Sequence, residues 1–487
     1  MHKRLANYLR IILAALPVIL SAYFVIPAKA QGVFSNCLLN ASSNQHVSLG
    51  KPLAYERLGN KANIKIGILP YYFSDGDKYD LSNEDKRDYY LAAKIIEEVS
   101  KNYVKVEIIF LPNIQSNLTS FQFKQILLKT NEGWSERNLE KSTYGFVKNI
   151  LLANDEFIDY SNLDSVILEG GNRDRSFSHA EAFGFFQSSD GNNFLDSNSE
   201  FFKSVKTKEG FIDNAVLLDS HKGPNIIAHE LFHNFGLTDL YGSGTGPGQF
   251  SMMASNASRI LNYERAVLGW FPPQDFKCDD FSKVIDLNSA FNLIEIKDIY
   301  ADSIFLLKKA EDTAYIIEVS QLDSKPHLFV YLLEQNLRPP ITMYGNPNKT
   351  YLSMFDLSDP NNVGSFYKAF EFSLLISNQN GKSLTLKAIP NAMASSAEAK
   401  KVFEESILNR EVILKKVAAD ADAKAKADAD AKAKADADAK AKADADAKAK
   451  AEVNTLKLKK TITCIKGNSV KKIKGLNPKC PEGYKKK

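Results

Sequence analysis

Cysteine, tryptophan and histidine are sparse in this chain, with four, two and seven copies among 487 residues. Neither sign of charge prevails, the formal net charge being +4, and the basic excess is confined to the two ends. The first thirty residues carry Lys3, Arg4, Arg10 and Lys29, residues 454–487 carry eleven lysines against Glu482, and residues 31–453 between them sum to −10. A nucleic-acid enzyme lines its working surface with basic residues, so an acidic body argues against a nucleic-acid partner. The basic tail suits contact with an anionic cell envelope instead. A phosphate loop is also missing: the glycine-rich GSGTGPG, Gly242 to Gly248, has no Gly-Lys-Ser/Thr after it and reads as a flexible loop. Of two loops that could take Ca2+, NRDRSFSHAE and SSDGNNFLDSNSE, neither fits the twelve-residue calcium loop.

What is present begins with an export signal. A basic start precedes the apolar run Ile11 to Pro27, and Ala28-Lys29-Ala30 supplies a small-x-small cleavage site. Cleavage after Ala30 would leave 457 residues, secreted or held at the cell surface. The alternative, an uncleaved anchor, is opposed by Pro17 and Pro27, which interrupt the run. In an exported chain the four cysteines form an even set. Position suggests Cys464 with Cys480 and Cys37 with Cys278, although three connectivities are open. Residues 31–60 read as a short N-terminal segment or pro-segment.

From Ala62 the pattern is α/β. NIKIGILPYYF, VKVEIIFLP and LDSVILEGG read as buried strands, with helices over Glu84 to Lys101 and Ser135 to Leu152 between them; AFGFFQ and DNAVLLDS are further strand candidates. After Trp270-Phe271-Pro272-Pro273 come short alternating runs, KVIDL, FNLIEI, SIFLLKK, AYIIEVS and HLFVYLLE, expected to form an antiparallel β domain over 276–392. A helical spacer over 393–453 follows, in which residues 420–451 repeat DADAKAKA four times. Each charge there has an opposite charge four positions away, and alanine is the best helix former, so a solvated helical spacer is expected. A disordered linker is the competing reading. The basic two-cysteine tail, 454–487, closes the chain.

The chemistry concentrates in IIAHELFHNFGLTDLY, Ile226 to Tyr241. On a helix, residues four apart share a face, so His229 and His233 can both offer a nitrogen to one ion. Glu230 can reach a water held by that ion and act as general base, then acid. Gly236 can take a positive φ, end the helix and reverse the chain, bringing Asp239 back as third ligand. Two helical histidines hydrogen-bonded in a core are the ordinary explanation of the short pattern; the glycine and aspartate after it favour a metal. Glu264, on a later helix as in thermolysin-like enzymes, is the rival third ligand. Tyr263 is a candidate for polarising a substrate carbonyl, and His179 and His221 for lining the cleft.

The run HELFHNFGLTDLY resembles the metzincin clan of zinc metallopeptidases, and within it the immune inhibitor A (M6) family of secreted bacterial peptidases. FSMMAS resembles that family's methionine turn, with Met253 as floor beneath the metal, and YERAVLGWF resembles the segment closing its catalytic domain. The resemblance implies a catalytic domain over 61–275 with a twisted mixed sheet and an active-site helix. It also implies one catalytic Zn2+, with protein or peptide as substrate. Asn234, Phe235 and Thr238 depart from the commonest residues of the motif, and the segment before the first strand is shorter than the family's pro-segments. Cys37 as an inhibitory zinc ligand is a further reading. A monomeric exported zinc endopeptidase is thus expected. The alternatives are an inactive surface binding or adhesion protein on a peptidase scaffold and a zinc amidase cutting a non-protein amide.

Overall fold

A computed structural model divides the chain into two compact units, residues 1–410 and 411–487. The structure describes residues 39, 58–130, 142–171, 180–184, 205–241, 246–255, 257–284, 293–322, 324–335, 341–343 and 354–487. The export signal, Cys37, His179, the second calcium-loop candidate, most of the first and residues 242–245 lie outside the described residues. Among those described, no helix is long and apolar enough to cross a membrane.

The first unit opens with β1 (Asn63–Tyr72), α1 (Asn83–Val99), β2 (Lys105–Phe110), β3 (Ile114–Gln115), α2 (Ser120–Thr130), α3 (Thr143–Ala153), β4 (Ser165–Gly170) and β5 (Ala180–Gly184). The short pair β6 (Val205–Lys206) and β7 (Phe211–Ile212) leads into β8 (Asn214–Leu218) and α4 (Pro224–Phe235), the helix of the histidine motif. The main sheet is mixed and runs β2-β1-β4-β8-β5, with β3 also on β1. Every pairing in it is parallel except that of β5, which lies antiparallel on β8.

Both faces of this sheet are covered, which is why its strands read as nearly continuous apolar runs. Ile64, Ile66 and Ile68 of β1, with Ile167 and Val216, pack with residues of α1 and α4. Leu69 and Tyr71, with Val166, Leu168 and Leu217, pack with α2 and α3 on the other side. The start of α1 follows from Ser82, whose side chain accepts from the Asp85 N–H while the Asp85 carboxylate accepts from the Ser82 N–H. The helix expected from Ser135 begins at Thr143, where Ser142 Oγ accepts the Gly145 N–H. Its neighbour α2 was not anticipated, because its buried stripe is narrow: Phe123 and Leu127 are buried, while Phe121 and Leu128 stay exposed.

The β-rich region belongs to the same unit. It comprises α5 (Asn262–Val267), β9 (Phe276–Asp280), α6 (Phe281–Val284), β10 (Leu293–Ile296), β11 (Ser303–Lys308), β12 (Thr313–Leu322), β13 (Lys325–Glu334), β14 (Ile341–Met343), β15 (Met354–Asp356), β16 (Phe366–Lys368), β17 (Phe372–Asn380) and β18 (Ser383–Pro390). Two sheets result, β14-β13-β12-β11-β9 with β15 also on β13, and β10-β18-β17-β16. They are not wholly antiparallel as expected: β9 runs parallel to β11, because the chain between them leaves the sheet through α6 and β10. Of KVIDL, Lys283 and Val284 end α6 and do not begin a strand, and residues 285–287 lie outside the described ones. There Phe281 packs between the rings of Tyr315 and Phe372, and Lys283 pairs with Asp280, so anchoring within a helical turn overrides the strand pattern.

Helix α7 (Ala397–Leu458) is 62 residues long, about 93 Å at 1.5 Å per residue. Its first turns belong to the first unit, where Ala399, Val402 and Phe403 pack on Leu375 and Ile389. In the second unit the DADAKAKA repeats are helical and exposed on every side, the solvated spacer that alanine and i,i+4 charges predict. The unit ends in β19 (Lys460–Lys466), β20 (Ser469–Gly475) and β21 (Lys485–Lys486), closed by the Cys464–Cys480 disulfide. Cys278 is also disulfide-bonded, but its expected partner Cys37 is outside the described residues.

Candidate metal centre

Helix α4 is set by residues at both ends. Pro224 occupies its first turn, where a missing N–H is harmless. Gly236 ends it at φ 117°, donating its N–H to the carbonyls of His233 (2.9 Å) and Phe232 (3.1 Å). The buried side carries Ile227, Ala228, Leu231, Phe232 and Phe235, all without exposure. Trp270 packs beneath it, its ring 5.2 Å from Phe235 and 6.2 Å from Phe232. Each such aromatic contributes about 1.5–3 kcal/mol on burial, so the helix is anchored from below. Asn234, a departure in sequence, ties the helix to the sheet: its Oδ1 accepts from Ser165 Oγ at 3.1 Å, and its amide donates to the Ala215 carbonyl.

The opposite side presents His229 and His233, rings 4.9 Å apart and nearly perpendicular. Each imidazole is oriented through its Nδ1, 2.9 Å from the Met252 carbonyl for His229 and 3.0 Å from the Leu237 carbonyl for His233. A carbonyl only accepts, so each Nδ1 is the donor of its pair and each Nε2 is the atom left to meet a metal. After the reversal at Gly236, Asp239 places Oδ1 3.2 Å from His229 Nε2 and 3.3 Å from His233 Nε2. That oxygen is buried, and neither contact meets hydrogen-bond geometry. Two ligands held about 2.1 Å from a tetrahedral zinc stand about 3.4 Å apart, so the spacing fits an ion shared among the three. Among the described residues this is the one group of three or more ligand side chains close enough to hold a metal.

Electrostatics reinforce the cluster. Burial opposes ionisation of Asp239, but the two imidazoles outweigh it and hold the carboxyl well below the usual carboxylate range. Burial also lowers His233, yet Asp239 beside it raises the net value. Glu230 is buried, which pushes its carboxyl up despite the neighbouring His233 and His229; Asp239 and Glu181, on the edge strand β5, push the same way.

Beneath the histidines runs Ser251 to Ser255. Met253 is fully buried, and its carbonyl accepts the Leu240 N–H at 2.8 Å, tying the turn to the segment that carries Asp239. Ser251 Oγ accepts from the Met253 N–H and donates to Glu264 Oε2, which also accepts the Leu261 N–H. Glu264 is therefore a buried brace behind the turn and not one of the converging ligands. Tyr263 is also removed from that role, since it is buried with its hydroxyl accepting from Gln335. His221 is structural, lying between Glu169 and Asp88 at 3.2 Å from each; burial pulls it down, but those carboxylates raise it to about 9.

Tyr241 closes the run HELFHNFGLTDLY, and the sequence alone gave it no role. Its ring stacks on His229 at 6.2 Å, its hydroxyl bonds to Asp239, and the residue is 57% exposed at the open side of the cluster. Its place two residues after Asp239 was the available signal. A scan of the sequence against protein-family models and a search of curated proteins each returned no match.

Proposed function

We propose that this protein is an exported zinc-dependent endopeptidase of the metzincin type, similar to the immune inhibitor A peptidases. The observation that carries the reading is the convergence of His229 Nε2, His233 Nε2 and the buried Asp239 Oδ1, with ligand atoms of the three residues within 4.8 Å of one another. The mixed sheet, the motif helix and the buried Met253 turn are consistent with the sequence resemblance.

His229, His233 and Asp239 would hold the zinc, which when bound supplies Lewis acidity and brings a water's pKa to about 7. Glu230 then acts as general base, accepting a proton from the attacking water on its carboxylate and passing it to the leaving amide nitrogen. Burial, which raises its pKa, favours the proton-holding half of that transfer. Tyr241, half-exposed and stacked on His229, would donate its hydroxyl to the carbonyl oxygen as negative charge develops there. The Met252 and Leu237 carbonyls keep both imidazoles turned toward the metal side.

The test is hydrolysis of a denatured protein substrate by residues 31–487, compared with Glu230→Ala. Loss of the general base should lower turnover by about 10²–10⁴-fold. Equal turnover in the two proteins would defeat the proposal.

A further inference from the structure

The second unit ends in a sheet of order β20-β19-β21 whose two faces are unlike. Antiparallel register puts directly paired residues on one side of a sheet. Ile462 pairs with Ile473, Cys464 with Lys471 and Lys486, and Lys466 with Ser469. The chain between β20 and β21 folds back over that face. Cys480 is bonded to Cys464, the Tyr484 ring lies 5.2 Å from Lys471 Nζ, and Gly483 and Pro478 sit against Lys466 and Gly475. Cys464 is fully buried as a result.

The other face alternates with it: Thr461 pairs with Lys474, Thr463 with Lys472, and Ile465 with both Val470 and Lys485. Val470 is 60% exposed there, and Lys472, Lys474 and Lys485 are exposed too. With alternate residues about 7 Å apart along a strand and strands about 4.8 Å apart, Val470 and Ile465 stand side by side at the hairpin end of this face, Lys472 and Lys474 following about 7 and 14 Å along β20 and Lys485 flanking Ile465 on β21. Glu482 is the only acid in residues 454–487, against eleven lysines, whereas residues 31–453 carry −10. Outside the first thirty residues, the chain's basic excess therefore lies in residues 454–487.

We propose that this open face docks on an anionic phospholipid bilayer, the lysines meeting lipid phosphates and Val470 with Ile465 entering the headgroup layer. A soluble polyanion would be served by lysines alone. An exposed valine beside the lysines gains only where apolar burial adds to Coulomb attraction, at a bilayer interface. The proposal is independent of the peptidase reading.

The experiment is flotation of residues 31–487 with vesicles of phosphatidylcholine alone and of phosphatidylcholine with phosphatidylglycerol at about 3:1, the protein remaining with the anionic vesicles only. Two triple variants remove equal charge from opposite faces, K472Q/K474Q/K485Q from the open one and K460Q/K466Q/K486Q from the covered one. A free-thiol assay on each verifies that the Cys464–Cys480 bond is intact. A lysine near an anionic surface contributes about fivefold, so the open-face triple should lose roughly a hundredfold in partitioning and the covered-face triple less than about tenfold. Val470→Ser should weaken partitioning at constant charge. Equal losses from the two triples, an unaffected Val470→Ser, or tight binding to soluble polyphosphate with none to anionic vesicles would each overturn the proposal.

Discussion

Glu264→Gln should change stability by an amount that depends strongly on pH. Glu264 is 4% exposed and accepts two hydrogen bonds on one oxygen, from Ser251 Oγ and the Leu261 N–H, both at 2.8 Å. Burial, and secondarily the charge of Glu318, raises its carboxyl from 4.5 to about 8. A folded value above the unfolded one means that the native state holds this proton more tightly. Its stabilising contribution is therefore complete below about pH 4.5 and is lost as pH rises through 8. At 1.36 kcal/mol per unit, a shift of about 3.5 units is a loss of up to about 5 kcal/mol. Glutamine keeps the shape and an acceptor oxygen but cannot ionise. Urea unfolding at pH 5, 6, 7, 8 and 9 should show the variant gaining on wild type by about 1.4 kcal/mol per pH unit up to pH 8 and levelling beyond. Glu264→Ala strands both donors and should be destabilised by about 2–5 kcal/mol even at pH 5. Parallel pH curves for wild type and Glu264→Gln would refute the reasoning, and loss of zinc from the glutamine variant would restore Glu264 as a ligand.

Two further predictions follow from the site. Gly236→Ala forces a side chain onto a backbone at φ 117°, and should cost about 1–2 kcal/mol in thermal unfolding while weakening zinc binding through Asp239, three residues on. An alanine variant as stable as wild type would show that the reversal does not depend on glycine. Tyr241→Phe should lower kcat about a hundredfold with KM little changed, if its hydroxyl meets the developing oxyanion; unchanged kcat would reduce the residue to a packing partner of His229.

Much of the fold was readable because burial left its mark on residue order. The run NIKIGILPYYF anticipates β1 nearly residue for residue, since a strand covered on both faces must be apolar throughout. The spacer was legible because its i,i+4 charges and alanines need no partner to form a helix. Helix α2 was not, having only Phe123 and Leu127 to bury, and KVIDL misled because alternation cannot register the packing of Phe281 against Tyr315 and Phe372. At the site, the spacing of His229, His233, Gly236 and Asp239 encodes a local reversal and so could be read directly. The duties of Glu264, Asn234 and Tyr263 could not, because Ser251, Ser165 and Gln335, their partners, are distant in sequence.

The most direct test of the account is zinc stoichiometry and affinity, measured by mass spectrometry and competitive chelator titration on residues 31–487 and on Glu230→Ala, His233→Ala and Asp239→Ala. The account predicts about one zinc per chain in wild type and Glu230→Ala, with affinity falling by more than about a hundredfold when His233 or Asp239 is removed. A wild-type protein that binds no zinc, or an Asp239→Ala variant that binds it as tightly as wild type, would contradict it.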